Sequence, residues 1–167
     1  MKLQTSRLTL QLLTLEQAEL YFLGNNFLEQ NLHLPNAERI IDPHFKEVAE
    51  NIFLANLRKD RDNIVFYSFF ILIENLSRQI VGEIGCHGKP NENGEVEIGY
   101  STQTYFQNKG FMTEAVGCFV NFLLSLDNVT VVIAETEKSN QPSQKVLTKN
   151  NFFLIKETEE NCFWKLN

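Results

Sequence analysis

The 167-residue chain lacks several things that would fix its class at once. It has only three cysteines, Cys86, Cys118 and Cys162, an odd number with no paired spacing. That count argues against a disulfide framework and reads as reduced thiols in a cytoplasmic setting. No Cys/His cluster has zinc-ligand spacing, so no metal site is expected. An excess of basic charge is missing too: 15 Lys and Arg stand against 21 Asp and Glu, a net charge of −6. This disfavours general nucleic-acid binding, which needs a basic footprint over the phosphates. It would suit a cationic partner such as an amine or a basic peptide, although acidity also serves solubility alone. The longest apolar run, Val65 to Ile73, is about half the length that crosses a bilayer and contains Ser68. The opening residues Met1 to Arg7 turn polar too early for a signal peptide, so a soluble, non-membrane protein is expected. No repeat, low-complexity tract or Pro/Gly/Ser-rich linker interrupts the chain, and one continuous domain over 1–167 is the simplest division.

Hydrophobic residues make up 43% of the chain and include 14 phenylalanines, which suggests a thick aromatic core. Leu8, Leu10 and Leu12 alternate with Arg7, Thr9 and Gln11, predicting a half-buried strand over 7–13. Thr14 with Gln17 is a capping-box pattern, so a helix should start there and run to about Leu23. Residues 24–42 look irregular. Asp42-Pro43 offers an N-cap and a first-turn proline, and Phe45, Val48, Ala49, Ile52, Phe53 and Leu57 follow at helical spacing to about Lys59. Ile64 to Glu74 reads as a buried strand, Gln79 to Lys89 as a second and Glu95 to Tyr100 as a third, together an antiparallel meander. Beyond these the pattern predicts a helix over 112–126, a strand over 129–136, a helix over 141–150 and strands over 152–157 and 161–166. Alternating strands and helices in this half require a crossover, so the fold class is α+β with a mixed sheet.

The segment richest in chemistry is Glu97-Ile98-Gly99-Tyr100 followed by Gln107-Asn108-Lys109-Gly110-Phe111-Met112. A strand leads through a loop to a glycine turn that opens onto a helix. At such a turn several N–H groups lack intrahelical acceptors and, with the helix dipole, form a site for an anion. Gly110 admits a close ligand because it has no Cβ. The nucleotide patterns Gly-x-Gly-x-x-Gly and Gly-x4-Gly-Lys-Ser/Thr are absent. On this turn alone, an anion site and a plain helix start are equally good readings.

Gln107 to Met112 resembles the Gln/Arg-x-x-Gly-x-Gly/Ala turn of the GNAT superfamily of N-acetyltransferases, departing from it at Met112. Asn140 to Phe152 resembles the family's next helix, with Asn151 in place of the usual glycine, a residue that tolerates the left-handed conformation. Ser6 to Gln11, with a helix after it, is similar to the first strand of the ribosomal-protein N-acetyltransferase subset. The resemblance implies a mostly antiparallel sheet with helices on both faces and a splayed pair of strands in the middle, holding acetyl-CoA as cosubstrate. It implies backbone contacts to the cofactor from Ile98, Gly99 and Tyr100, and a pyrophosphate cradle of Gln107, Asn108, Lys109, Gly110, Phe111 and Met112. Asn140 would hold the pantetheine arm from the far side, and Ser143 would bond the sulfur where Leu147 replaces a common tyrosine. The acceptor would be an amine: a peptide N-terminus, an aminoglycoside, a polyamine or a small metabolite.

Direct transfer needs a neutral amine, and Glu97 is the first choice of base, with Glu83 and then His87 behind it. Glu97 could equally be a solvated strand carboxylate, and Ser143 a plain first-turn serine after Pro142. The N–H of Ile98 is the expected oxyanion donor. The cysteines read as packing residues. A non-catalytic acyl-CoA-binding or regulatory module with the same fold remains the alternative, and exposed sheet edges permit a homodimer without requiring one.

Overall fold

The computed structural model describes residues 1–41 and 43–167. The expected N-cap Asp42 lies outside the described residues. Eight strands form one sheet in the order β1-β2-β3-β4-β5-β6-β8-β7. They are β1 (Lys2–Gln4), β2 (Leu8–Leu12), β3 (Phe69–Glu74), β4 (Ile80–Cys86), β5 (Glu95–Thr102), β6 (Val131–Glu137), β7 (Phe153–Glu157) and β8 (Asn161–Leu166). Neighbours are antiparallel except for β5 and β6, which run parallel.

Helix α1 (Leu15–Leu23) begins where the capping box places it: Thr14 accepts from the Gln17 N–H, and the Gln17 side chain reaches back. A short α2 (Phe27–Asn31) occupies part of the segment expected to be irregular. The helix after Pro43 runs in three pieces: α3 (Pro43–Val48), a π-helical stretch Ala49–Phe53 and α4 (Leu54–Lys59). A π-helical turn widens the backbone locally and is common beside functional sites. The chain then forms the short α5 (Ile64–Tyr67) before β3, so the strand expected over Ile64 to Glu74 starts only at Phe69. The branched and aromatic residues of 64–67 suit a strand by propensity. Their packing into both cores, Phe66 and Val65 in one and Tyr67 in the other, decides otherwise, as tertiary context often does.

Side chains alternate across the sheet and build two cores. Phe70 and Leu72 of β3 join Leu8, Leu10, Ile84 and Ile98 beneath α6 (Phe111–Leu124). Phe69, Ile71 and Ile73 join Tyr21, Phe22, Leu54 and Leu57 on the opposite face, beneath α1 and α4. Burial on both faces is why β3 reads as an unbroken apolar run. Phenylalanines pack edge-on in both cores, Phe45 with Phe69 on one side and Phe70 with Phe119 on the other, and Phe22 is tilted against Phe45 and Phe69. Each such buried ring contributes roughly 1.5–3 kcal/mol.

The feature that positions the site is where pairing stops. Strands β5 and β6 are in register only at Glu95–Val131, Val96–Val132 and Glu97–Ile133. Beyond Glu97 the two strands part. β5 stays bonded to β4 as far as Thr102, and β6 to β8 as far as Glu137. A wedge therefore opens in the middle of the sheet, between Ile98 and Ala134.

Candidate active site

A cavity of about 900 Å³ passes through this wedge. Ile98, Gly99 and Tyr100 line it from β5, and Asn140 and Ser143 from the start of α7 (Gln141–Lys149). Gln107, Asn108, Gly110, Phe111 and Met112 line its far end. The structure thus brings together ten of the residues singled out in the sequence. Lys109 and Glu97 lie just behind the lining. Past the last rung of the ladder, one side of the β5 backbone has no strand partner, so an extended ligand with amide groups can bond there as a ninth strand would.

The turn before α6 is tight. Asn108 and Gly110 both adopt the left-handed conformation, at φ 61° and φ 77°. The first intrahelical bond runs from the Glu114 N–H to the Gly110 carbonyl at 3.2 Å. The N–H groups of Phe111, Met112 and Thr113 precede that bond and point out of the helix start. Met112, the unusual residue here, is buried and turned inward, with its methyl 3.3 Å from where a Cβ on Gly82 would stand. Its side chain leaves the N–H groups of the turn open.

The turn is held from outside by Arg7, which the sequence marked only as part of a strand. Arg7 Nη1 donates to the Lys109 carbonyl at 2.9 Å, Nε pairs with Glu114 at 2.6 Å, and the guanidinium lies 4.8 Å over the Phe111 ring. Burial alone would raise the Glu114 pKa. Hydrogen bonds from Thr5, the Arg7 backbone and side chain, and Ser6 prevail and hold it at about 2.

Opposite the turn, Asn140 caps α7 by accepting from the Ser143 N–H at 3.1 Å. Ser143 Oγ donates to Tyr100 Oη at 2.8 Å, so a side-chain pair spans the wedge. Burial pushes the Tyr100 hydroxyl up to about 12, against the opposing pull of Ser143, and keeps it protonated. Leu147 is fully buried and faces the core. Asn151 is left-handed at φ 63°, in keeping with the helix end that its residue type tolerates.

Glu97 accepts or shares a proton with His87 Nδ1 at 2.9 Å. His87 lines the cavity, stacks on Phe53 at 5.9 Å, and lies over Gly99 so closely that a Cβ there would collide with its Nε2. The carboxylate is thus one step removed from the cavity, with the imidazole between. The sequence placed Glu97 first and His87 last among the candidate bases; that the two meet is set by the β4–β5 register. Glu83 is buried on the same face, where burial raises its pKa although Ser101 and Tyr21 donate to it at 2.5 and 3.0 Å. Burial also raises the Cys86 thiol, which is a packing residue of the core and no thiolate nucleophile. Among the described residues no group of His, Cys, Asp and Glu could hold a metal, and no helix is long and apolar enough to cross a membrane.

A parted parallel pair of strands, a glycine turn aimed at its end and a mostly antiparallel sheet with helices on both faces define the fold of acetyltransferases of the GNAT type. The family model described as "Acetyltransferase (GNAT) domain" matches residues 7–152. The chain belongs to the GNAT acetyltransferase family, a class of acetyl-CoA-dependent acetyltransferases. It is 33% identical over 137 residues to the uncharacterized N-acetyltransferase YjdG of Bacillus subtilis strain 168, covering 81% of this chain and 76% of that one. The fold is shared with the ribosomal-protein-S5-alanine acetyltransferase of Vibrio fischeri, at a TM-score of 0.72 and 18% identity, over 99% of this chain and 96% of that one. RimL, a ribosomal L7/L12 α-N-protein acetyltransferase solved with coenzyme A, superposes at a TM-score of 0.71 and 13% identity, over 99% and 97%.

Proposed function

We propose that the protein transfers the acetyl group of acetyl-CoA to an amine by direct attack in a ternary complex, within a single domain. The observation that carries this reading is the wedge: an unpaired β5 backbone at Ile98–Tyr100 leading to the open N–H groups of the Gly110 turn. Those residues fit coenzyme A. Ile98 and Tyr100 would bond the pantetheine amides across Gly99, Gln107 to Met112 would cradle the pyrophosphate, and Asn140 and Ser143 would close the other wall. When bound, acetyl-CoA supplies a thioester carbonyl at which an amine forms a C–N bond as the C–S bond breaks.

The chain's own residues handle the protons. His87 lines the cavity and takes the proton lost by the amine at Nε2, while Glu97, bonded to Nδ1, fixes the orientation of the ring. Histidine is the side chain best suited to this exchange near neutral pH. As the C–S bond breaks, the Ser143 hydroxyl turns from Tyr100 Oη to donate toward the leaving sulfur, and the Ile98 N–H donates toward the carbonyl oxygen. The acceptor reaches this point from the face lined by Phe45, Phe53 and Glu83. The ribosomal-protein neighbours support a peptide N-terminus as one acceptor to test, beside polyamines, aminoglycosides and small amines.

The three free thiols support a cytoplasmic location. The open edges of β1 and β7 would admit a homodimer, which a molar-mass measurement by light scattering would detect. The test of function is thiol release from acetyl-CoA against pools of amines and N-terminal peptides. Amine-dependent release supports the enzyme, and coenzyme A binding without release across all pools supports the non-catalytic module.

A further inference from the structure

The acceptor half of the cavity contains a carboxylate that the transfer chemistry leaves unused. Glu83 is 5% exposed and lines the cavity. Its two oxygens accept from Tyr21 and Ser101, which occupies about two of the roughly four lone-pair positions of a carboxylate. Arg39 lies on the Tyr21 ring, 4.3 Å from its centroid, and is engaged with Glu29 at 2.5 Å. Among the described residues Glu83 makes no direct ion pair; the Arg39 guanidinium acts on it from behind the Tyr21 ring and Gln103 bonds it as well, yet burial still prevails and disfavours its charged form.

Between Glu83 and His87, strand alternation along β4 puts Gly85 on the same face as those two side chains, and Gly85 is paired across the strands with Gly99. These two glycines form a floor without side chains. A Cβ at Gly85 would come within 3.0 Å of Phe69, and one at Gly99 would strike His87, so the floor has no room for either. The walls around it are apolar: Phe45, Val48, Phe53 and Phe69.

Building on the amine-acceptor reading, the geometry points to a subsite in which a primary ammonium seats between the Glu83 carboxylate and the His87 ring, which itself lies over Gly99. The rest of the acceptor then lies against Phe45 and Phe53, so the acceptor class is a primary amine on a slender apolar or aromatic body. Glu83 is a specificity residue that receives the cation; His87 then takes its proton. A polyamine or an aminoglycoside would carry further cations against phenylalanine, where no second buried carboxylate lines the cavity among the described residues.

The test is calorimetric titration of the full chain saturated with coenzyme A, which prevents turnover, using 2-phenylethylamine, 2-phenylethanol and spermidine. The amine is expected to bind at least about tenfold more tightly than the alcohol or spermidine, a difference of about 1.4 kcal/mol. Glu83→Gln is expected to abolish the preference for amine over alcohol while coenzyme A titrates as in the wild type. Phe53→Ala on the facing wall should weaken 2-phenylethylamine about tenfold, and it tests the subsite independently if Glu83→Gln fails to fold. An unchanged amine-to-alcohol ratio in Glu83→Gln, unchanged amine affinity in Phe53→Ala, or spermidine binding as tightly as the aryl amine would overturn the proposal. If coenzyme A itself does not bind, the cofactor reading fails, and the same titrations on the unloaded chain still decide the amine subsite.

Discussion

Replacing Glu114 with glutamine tests how the pyrophosphate turn is held. Glu114 receives Arg7 Nε at 2.6 Å, the Arg7 N–H at 2.9 Å and Ser6 Oγ at 3.0 Å. Its carboxyl titrates at about 2 against an ordinary 4.5. At about 1.4 kcal/mol per pH unit, that gap caps its contribution near ~3 kcal/mol. The Glu114 side chain is 19% exposed and Arg7 46%, so solvent screening reduces the expected loss in Glu114→Gln to about 1–2 kcal/mol. For a chain of this size that lowers the melting temperature by roughly 3–6 °C. The sign is set by the lowered pKa: the stabilisation is full above 4.5 and is lost as pH falls towards about 2. Urea unfolding should therefore give a constant gap between wild type and variant from pH 5 to 7, narrowing below 4.5. Because Arg7 also bonds the Lys109 carbonyl, the freed guanidinium loosens the turn, and coenzyme A affinity should fall about three- to tenfold at pH 7. Unchanged stability at pH 7, or a gap that widens on acidification, would refute this reasoning.

Gly99→Ala places a methyl on His87 Nε2 and should lower the turnover rate by about 10²-fold, with coenzyme A affinity read by calorimetry largely kept. Gly110→Ala forces a side chain into φ 77° at a cost of about 1–2 kcal/mol, measurable by unfolding, and should weaken coenzyme A binding in parallel. Because burial raises the Glu83 pKa, its charged form opposes folding, so wild type should lose stability relative to Glu83→Gln as pH rises from 4 to 8 in unfolding titrations. Leu147→Ala empties a fully buried position and should cost about 2–5 kcal/mol in the same assay.

The regular elements were legible in the sequence wherever periodicity or a cap carried them. The strand at Leu8–Leu12, the box at Thr14 and Gln17, and the last strand at Asn161–Leu166 stand where their patterns put them. Ile64–Tyr67 was misread because four branched and aromatic residues have no period long enough to separate a helical turn from a strand. Strand β1 went unseen, since Lys2–Gln4 holds one apolar residue and exists through its pairing with β2. The cofactor wall was legible because glycine turns and helix caps are local in sequence. The contacts that organise the site are not local. Arg7 meets a turn a hundred residues away, and His87 meets Glu97 across a hairpin whose register no composition reveals. Tyr100 meets Ser143 only because β6 parts from β5 and brings α7 to the wedge.

Amide hydrogen exchange with and without coenzyme A tests the central claim, that the wedge and the Gly110 turn form one cofactor site. The account predicts that the ligand slows exchange at Ile98 and Tyr100 together with Phe111, Met112 and Thr113, while the amides of β1 and β7 are unaffected. Coenzyme A binding that protects neither group, or protects residues away from the parted strands, would contradict it.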